Sequence, residues 1–146
     1  MINLNNIWFF IANPRIANWE DSETWIKHEK KYNWGIPMKS RDLEKLSEVM
    51  ENDIILCYTA IKKELIGCCR CTLTRYKGNI EKEDVNPEFI NRIGISKIKY
   101  RTPIMLEELK SMRLKFIDEY LKFPRGRSIV KVSTNDWNKL RDFQDC

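Results

Sequence analysis

The residues able to do chemistry are few, and most are placed badly for it. His28 is the single histidine and stands between Lys27 and Glu29 on an expected exposed helix face. Imidazole-based nucleophilic or general-base catalysis is therefore not expected. Cys68-Cys69-x-Cys71 has the outline of a metal motif, but a strand sends successive side chains to opposite faces. Cys68 then faces away from Cys69 and Cys71, with Cys57 within reach on a neighbouring strand. Structural zinc takes paired knuckles at two places, and no second one is present. The expectation is small buried core thiols, with no metal and no other cofactor. Glu107-Glu108 and Asp118-Glu119 read as solvated helix carboxylates. Patterns of the forms GxxxxGK[ST], GxGxxG, HExxH and GxSxG are all absent.

The aromatic residues say more. Of five tryptophans, Trp8 and Trp137 fall in segments that read as core. Trp34 stands in Asn33-Trp34-Gly35-Ile36-Pro37, between two expected helices and in no regular pattern. Such a residue either plugs a gap or offers its face to a flat ligand. Stacking a nucleobase on an aromatic ring stabilises by about 1–3 kcal/mol.

Charge supplies a second hint. The net charge is +5, yet residues 92–131 alone hold eleven Lys/Arg against four Asp/Glu. A basic block of this kind suits polyanions, since each phosphate contact releases counterions. Within it, Pro124-Arg125-Gly126-Arg127-Ser128 reads as an exposed loop entering a strand. Arg125 and Arg127 could grip a phosphate through two parallel hydrogen bonds each, with Ser128 adding a hydroxyl. The alternative is that one arginine is a structural ion pair. Lys97, Lys99 and Arg101 are the other phosphate candidates.

The elements that must position these residues follow from pattern. IWFFIA (7–12) is a buried strand. Asn18 caps a helix to about Lys30, and Ser40 caps a second with Leu43, Leu46, Val49 and Met50 on one face. Segments 53–60 and 65–76 are rich in strand formers and are joined as a hairpin by a short polar connector. Residues 77–91 form a polar loop, and 93–100 another strand. Pro103 is expected at the first position of a helix that carries Leu109, Met112, Phe116, Ile117 and Tyr120 and ends at Pro124. SIVKV (128–132) is a short strand, and Ser133 or Thr134 caps a last helix. The order predicts one α+β domain over residues 1–146, not a doubly wound parallel sheet. At 42% hydrophobic and 32% charged the composition is globular. No apolar run is long enough to cross a membrane, and the opening residues lack a signal peptide pattern. Reduced cysteines, a cytoplasmic location and no membrane partner are expected.

These residues, taken in order, resemble the EVE domain family, a PUA-like group related to YTH domains. The resemblance runs over nearly the whole chain. Trp8 to Asn13 followed by Asn18-Trp19-Glu20 resembles the family's first strand and Asn-Trp step. Trp34-Gly35-Ile36-Pro37 is similar to its W-G-[VI]-P turn. Asp53 to Thr59 resembles the G-D-x-[VL]-[VL]-F-Y strand, with Asn52 in place of the usual glycine. Leu65-Ile66-Gly67 and the tail from Arg127 to Trp137 complete the series. The resemblance implies a PUA-like open pseudo-barrel of about five or six mainly antiparallel strands with flanking helices. It also implies a pocket for a modified nucleobase, walled by Trp34 with the backbone of Gly35 close by and amide contacts from Asn13 and Asn18. Tyr58 or Tyr76 would supply a further aromatic wall. The function so implied is a non-catalytic reader of DNA or RNA carrying a modified base. The alternatives are a small hydrolase acting on a modified nucleoside, with Lys39 and Glu44 the nearest ionisable groups, or a binder of a small molecule. The sequence leaves the oligomeric state open.

Overall fold

Strand alternation with apolar residues on both faces dictates the frame. Ile7–Ala12 (β1) is buried at every position. Ile7, Phe9 and Ile11 enter one core, while Trp8, Phe10 and Ala12 enter another on the opposite face. A strand sandwiched between two apolar layers reads as a continuous hydrophobic run, which is why this segment is legible in the sequence. The computed structural model describes residues 5–12, 25, 33–36, 42–77, 91–122 and 127–146. The expected helix 18–30 lies outside them apart from Trp25, as do His28, Lys39 and Ser40.

Among the described residues seven strands form one open sheet: β1, Asn33–Ile36 (β2), Ile54–Thr59 (β3), Glu64–Lys77 (β4), Asn91–Ile95 (β5), Lys99–Met105 (β6) and Ile129–Val132 (β7). The order is β2-β5-β4-β3-β1-β7, with β6 also paired to β4. β1 and β3 run parallel, and every other pair is antiparallel. Four short helices accompany the sheet among the described residues: Leu43–Leu46 (α1), Leu106–Ser111 (α2), Lys115–Lys122 (α3) and Thr134–Lys139 (α4). The architecture is α+β, with a sheet that does not close among the described residues.

The hairpin of β3 and β4 is as the sequence predicts. Gly67 of β4 is fixed by close approach, since a Cβ there would lie 2.5 Å from the Lys99 carbonyl oxygen of β6.

Five expectations need correction. Residues 33–36 are not irregular: they pair with β5 as a strand. The single strand expected at 93–100 is two strands, β5 and β6, separated by residues 96–98, with Ser96 bonded through its backbone and hydroxyl to Arg70. Pro103 does not open a helix but sits in β6, an edge strand, where its missing N–H is tolerated. The long helix expected to follow is two helices, broken where Arg113 takes a positive φ of 56°. α3 restarts because the buried Asp136 carboxylate of α4 accepts the Phe116 N–H at 3.0 Å, supplying from another element the acceptor that a helix start lacks. α1 is likewise short. Met50, expected on its apolar face, is exposed where the chain turns into β3.

Candidate nucleic-acid interface

Trp34 is held by β2 opposite Ile93 of β5. Its indole is 3% exposed and joins the core that contains Trp8, Phe10 and Trp25. The Phe10 ring lies 4.5 Å away at a 45° tilt. The Trp25 ring lies nearly parallel, 12° apart with centroids separated by 6.2 Å. Both spacings are those of packed aromatic pairs. Trp25 is itself anchored, its Nε1 donating to the Tyr58 carbonyl at 3.0 Å. Trp34 is therefore a wall built into an aromatic layer, not a side chain on a free loop.

The two tyrosines do not share that wall. Tyr58 is fully buried in the other core, packed on Phe9 at 5.0 Å and Tyr120 at 5.6 Å. Alternation along β3 sends it to the opposite face; only its backbone carbonyl reaches the Trp34 side. Tyr76 is half-buried and pairs with Arg92, the neighbour of Ile93. Directly opposed residues share a face, so Tyr76 too stands on the face away from Trp34. Gly35 is buried and opposes Arg92 from the other side. Asn13 and Asn18 lie outside the described residues.

Sequence reasoning missed Asn91, Arg92 and Trp25. Asn91 is 7% exposed, and its place two residues before Ile93 puts its amide on the Trp34 face. Its Oδ1 accepts Arg75 Nη2 at 3.2 Å, and Arg75 also donates to Ser47. Arg92 is 3% exposed, a rare place for a guanidinium. The available signal was an amide and a cation opening an otherwise apolar strand, Asn91-Arg92-Ile93-Gly94-Ile95.

The phosphate candidates divide. Arg127 takes the structural alternative: its guanidinium is mostly buried, 3.5 Å from Asp42 and 3.8 Å from Glu119. Ser128 is no surface hydroxyl, being buried with its N–H on Asp42. Arg125 lies outside the described residues. Lys97 is exposed. Lys99 and Arg101 project from edge strand β6, and both pair with Asp145. These two cations hold the Asp145 carboxyl below the usual range, chiefly through the Arg101 hydrogen bond.

The cysteines also divide, as alternation requires. Cys69 and Cys71 join Cys57 in the Trp34-side core, with Cys57 and Cys69 sulfurs 3.8 Å apart. Burial pushes the Cys71 thiol up to about 11, leaving it a poor nucleophile. Against the expectation of reduced thiols throughout, Cys68 on the other face forms a disulfide with Cys146.

No protein-family model matches the sequence, and no curated protein is significantly similar. Solved structures are. Human THYN1, in complex with DNA containing 5-methylcytosine, superposes with a TM-score of 0.67 at 16% identity over 92% of this chain and 94% of that one. The fold is that of an EVE domain. A protein of Agrobacterium tumefaciens gives 0.67 at 14% identity over 93% and 91% of the chains. The YTH domain of Zygosaccharomyces rouxii MRB1, bound to RNA containing N6-methyladenosine, gives 0.64 at 10% over 94% and 84%. Both nucleic-acid complexes share the PUA-like frame seen here.

Proposed function

We propose that this chain is a nucleic-acid-binding module that holds one modified nucleobase without transforming it, and that it works in the cytoplasm. The observation that carries the reading is the aromatic layer of Trp34, Trp25 and Phe10, set in a fold that human THYN1 and a YTH domain present to methylated bases. Asn91 adds a buried amide on the same face, a group suited to a base edge. The target base would be single-stranded or flipped out, because a paired base offers no free face. Lys97, Lys99 and Arg101 on or beside edge strand β6 would position the backbone.

A reader is favoured over a hydrolase by what the buried carboxylates do. Asp42 accepts the N–H groups of Ser128 and Ile129. Asp53 accepts those of Asn6, Met50 and the Trp8 indole. Asp136 accepts that of Phe116. Each serves the frame. Glu44 is exposed.

The test is fluorescence anisotropy with matched single-stranded oligonucleotides that are unmodified or carry 5-methylcytosine or N6-methyladenosine. Trp34→Ala should erase preference for the modified base, a loss of about 1–3 kcal/mol, while Trp34→Phe should retain part of it and keep the core filled. Circular dichroism checks that both variants fold. Equal affinity of the wild-type protein for modified and unmodified strands overturns the reading.

A further inference from the structure

Cys146 is joined to Cys68 of β4 across 78 residues of sequence, with Cα atoms 6.1 Å apart. The bond sets residues 145–146 on a cluster of cations. Arg70 Nη2 donates to the Cys146 carbonyl at 2.7 Å. Lys99 Nζ donates to the Asp145 carbonyl at 2.8 Å and lies 3.3 Å from its carboxylate. Arg101 Nη2 is bonded to the same carboxylate. Arg101 Nε is buried and has no hydrogen-bond partner among the described residues, so the guanidinium keeps an unused donor for an oxyanion. The ion pairs are largely exposed, with Asp145 at 62% and Lys99 at 49%. Such pairs hold little by themselves. The disulfide keeps Asp145 at high effective concentration over the stripe.

We propose that the Cys68–Cys146 disulfide is a redox-controlled latch that covers a polyanion-binding stripe of Arg70, Lys99 and Arg101 with the Asp145-Cys146 segment. The proposal rests on the nucleic-acid reading above and adds its regulation. A dithiol reductant opens the latch. Its thiolate attacks the sulfur of Cys146, a half-buried residue, the S–S bond breaks, and Cys68 leaves as a thiolate that takes a proton. The second thiol of the reductant then attacks the mixed disulfide, releasing Cys146 and closing the reductant into its own disulfide. Two electrons and two protons pass to the protein, and a disulfide oxidant reverses the exchange. With the segment released, Lys99 and Arg101 exchange one carboxylate for nucleic-acid phosphates.

Heparin chromatography and oligonucleotide anisotropy test this on oxidised and reduced protein. The reduced protein should elute from heparin at higher salt than the oxidised. Its salt slope on an unmodified single strand should steepen by about 1.4, the value for two phosphate contacts, with roughly tenfold tighter binding at low salt. Cys146→Ser should match the reduced protein whatever the reductant, and Lys99→Ala with Arg101→Ala should remove the gain. Asp145→Asn in the oxidised protein, which keeps the disulfide, should recover part of it. Identical elution and slope in the oxidised, reduced and Cys146→Ser proteins overturn the latch. So does absence of the linked Cys68–Cys146 peptide from protein handled without reductant. An intact elution shift without preference for any modified base leaves the latch standing and overturns the reader.

Discussion

The Asp42 carboxylate accepts the backbone N–H of Ser128 at 2.6 Å, across 86 residues of sequence. It also accepts that of Ile129 at 3.1 Å and faces Arg127 and Lys45. One buried acid thus ties the start of α1 to the start of β7. Asp42→Ala leaves two buried N–H groups without their acceptor and the mostly buried Arg127 guanidinium with Glu119 alone. The expected cost is about 3 kcal/mol, read as a fall in melting temperature of roughly 10 °C. Arg127→Ala should destabilise less and leave the salt slope of oligonucleotide binding unchanged. A slope lower by one phosphate contact would return Arg127 to the phosphate path.

Asn52 takes a φ of 73° where the resembled family carries glycine. Asparagine is among the few side chains that tolerate the left-handed region, so the turn into β3 survives the departure. Asn52→Gly should be close to neutral, while Asn52→Val should cost about 1–2 kcal/mol. Gly67 answers to a different constraint. Gly67→Ala drives a methyl into the Lys99 carbonyl and should cost about 1–3 kcal/mol. Urea unfolding of the three variants separates the two cases: a costly Asn52→Gly or a silent Gly67→Ala would contradict them.

Stability should fall in alkaline solution. Burial raises the Cys71 thiol from 9.0 to about 11. Burial also raises the Tyr120 phenol above 10.0, against a hydrogen bond with Tyr58 that lowers it. Above about pH 9 the unfolded chain gives up the Cys71 proton while the folded chain keeps it. The unfolded state then binds fewer protons, and the free energy of unfolding declines as pH rises. The stability is whole below pH 9 and is lost as pH approaches 11. Urea midpoints at pH 8, 9.5 and 10.5 should drop in order, and Cys71→Ala should flatten the lower part of the decline. A midpoint constant over this range would refute the assignment.

The sequence by itself determined the elements whose environment is local or uniform. β1 is apolar on both faces, β7 is a short alternating strand with Lys131 exposed, and the β3–β4 hairpin has a short polar connector between strand formers. The Ser133 cap of α4, which accepts the Asp136 N–H, is a contact between near neighbours. Period-two alternation correctly divided Cys68 from Cys69 and Cys71, because it depends only on the strand being a strand. Trp34 was legible as an exceptional residue, though not as part of a strand.

Tertiary structure decided what rests on contacts distant in sequence. The four residues of β2 carry no pattern of their own and become a strand because β5 offers them a ladder. The long helical period from Leu109 to Tyr120 was broken because Asp136, twenty residues beyond Phe116, makes a second helix start possible. Tyr58 was removed from the Trp34 wall by the face its register assigns. Arg127 was withdrawn from solvent by Asp42, and Lys99 and Arg101 were placed beneath Asp145 by a disulfide. A charged or aromatic side chain announces its chemistry in the sequence, but its partner is chosen by the packing that brings remote segments together.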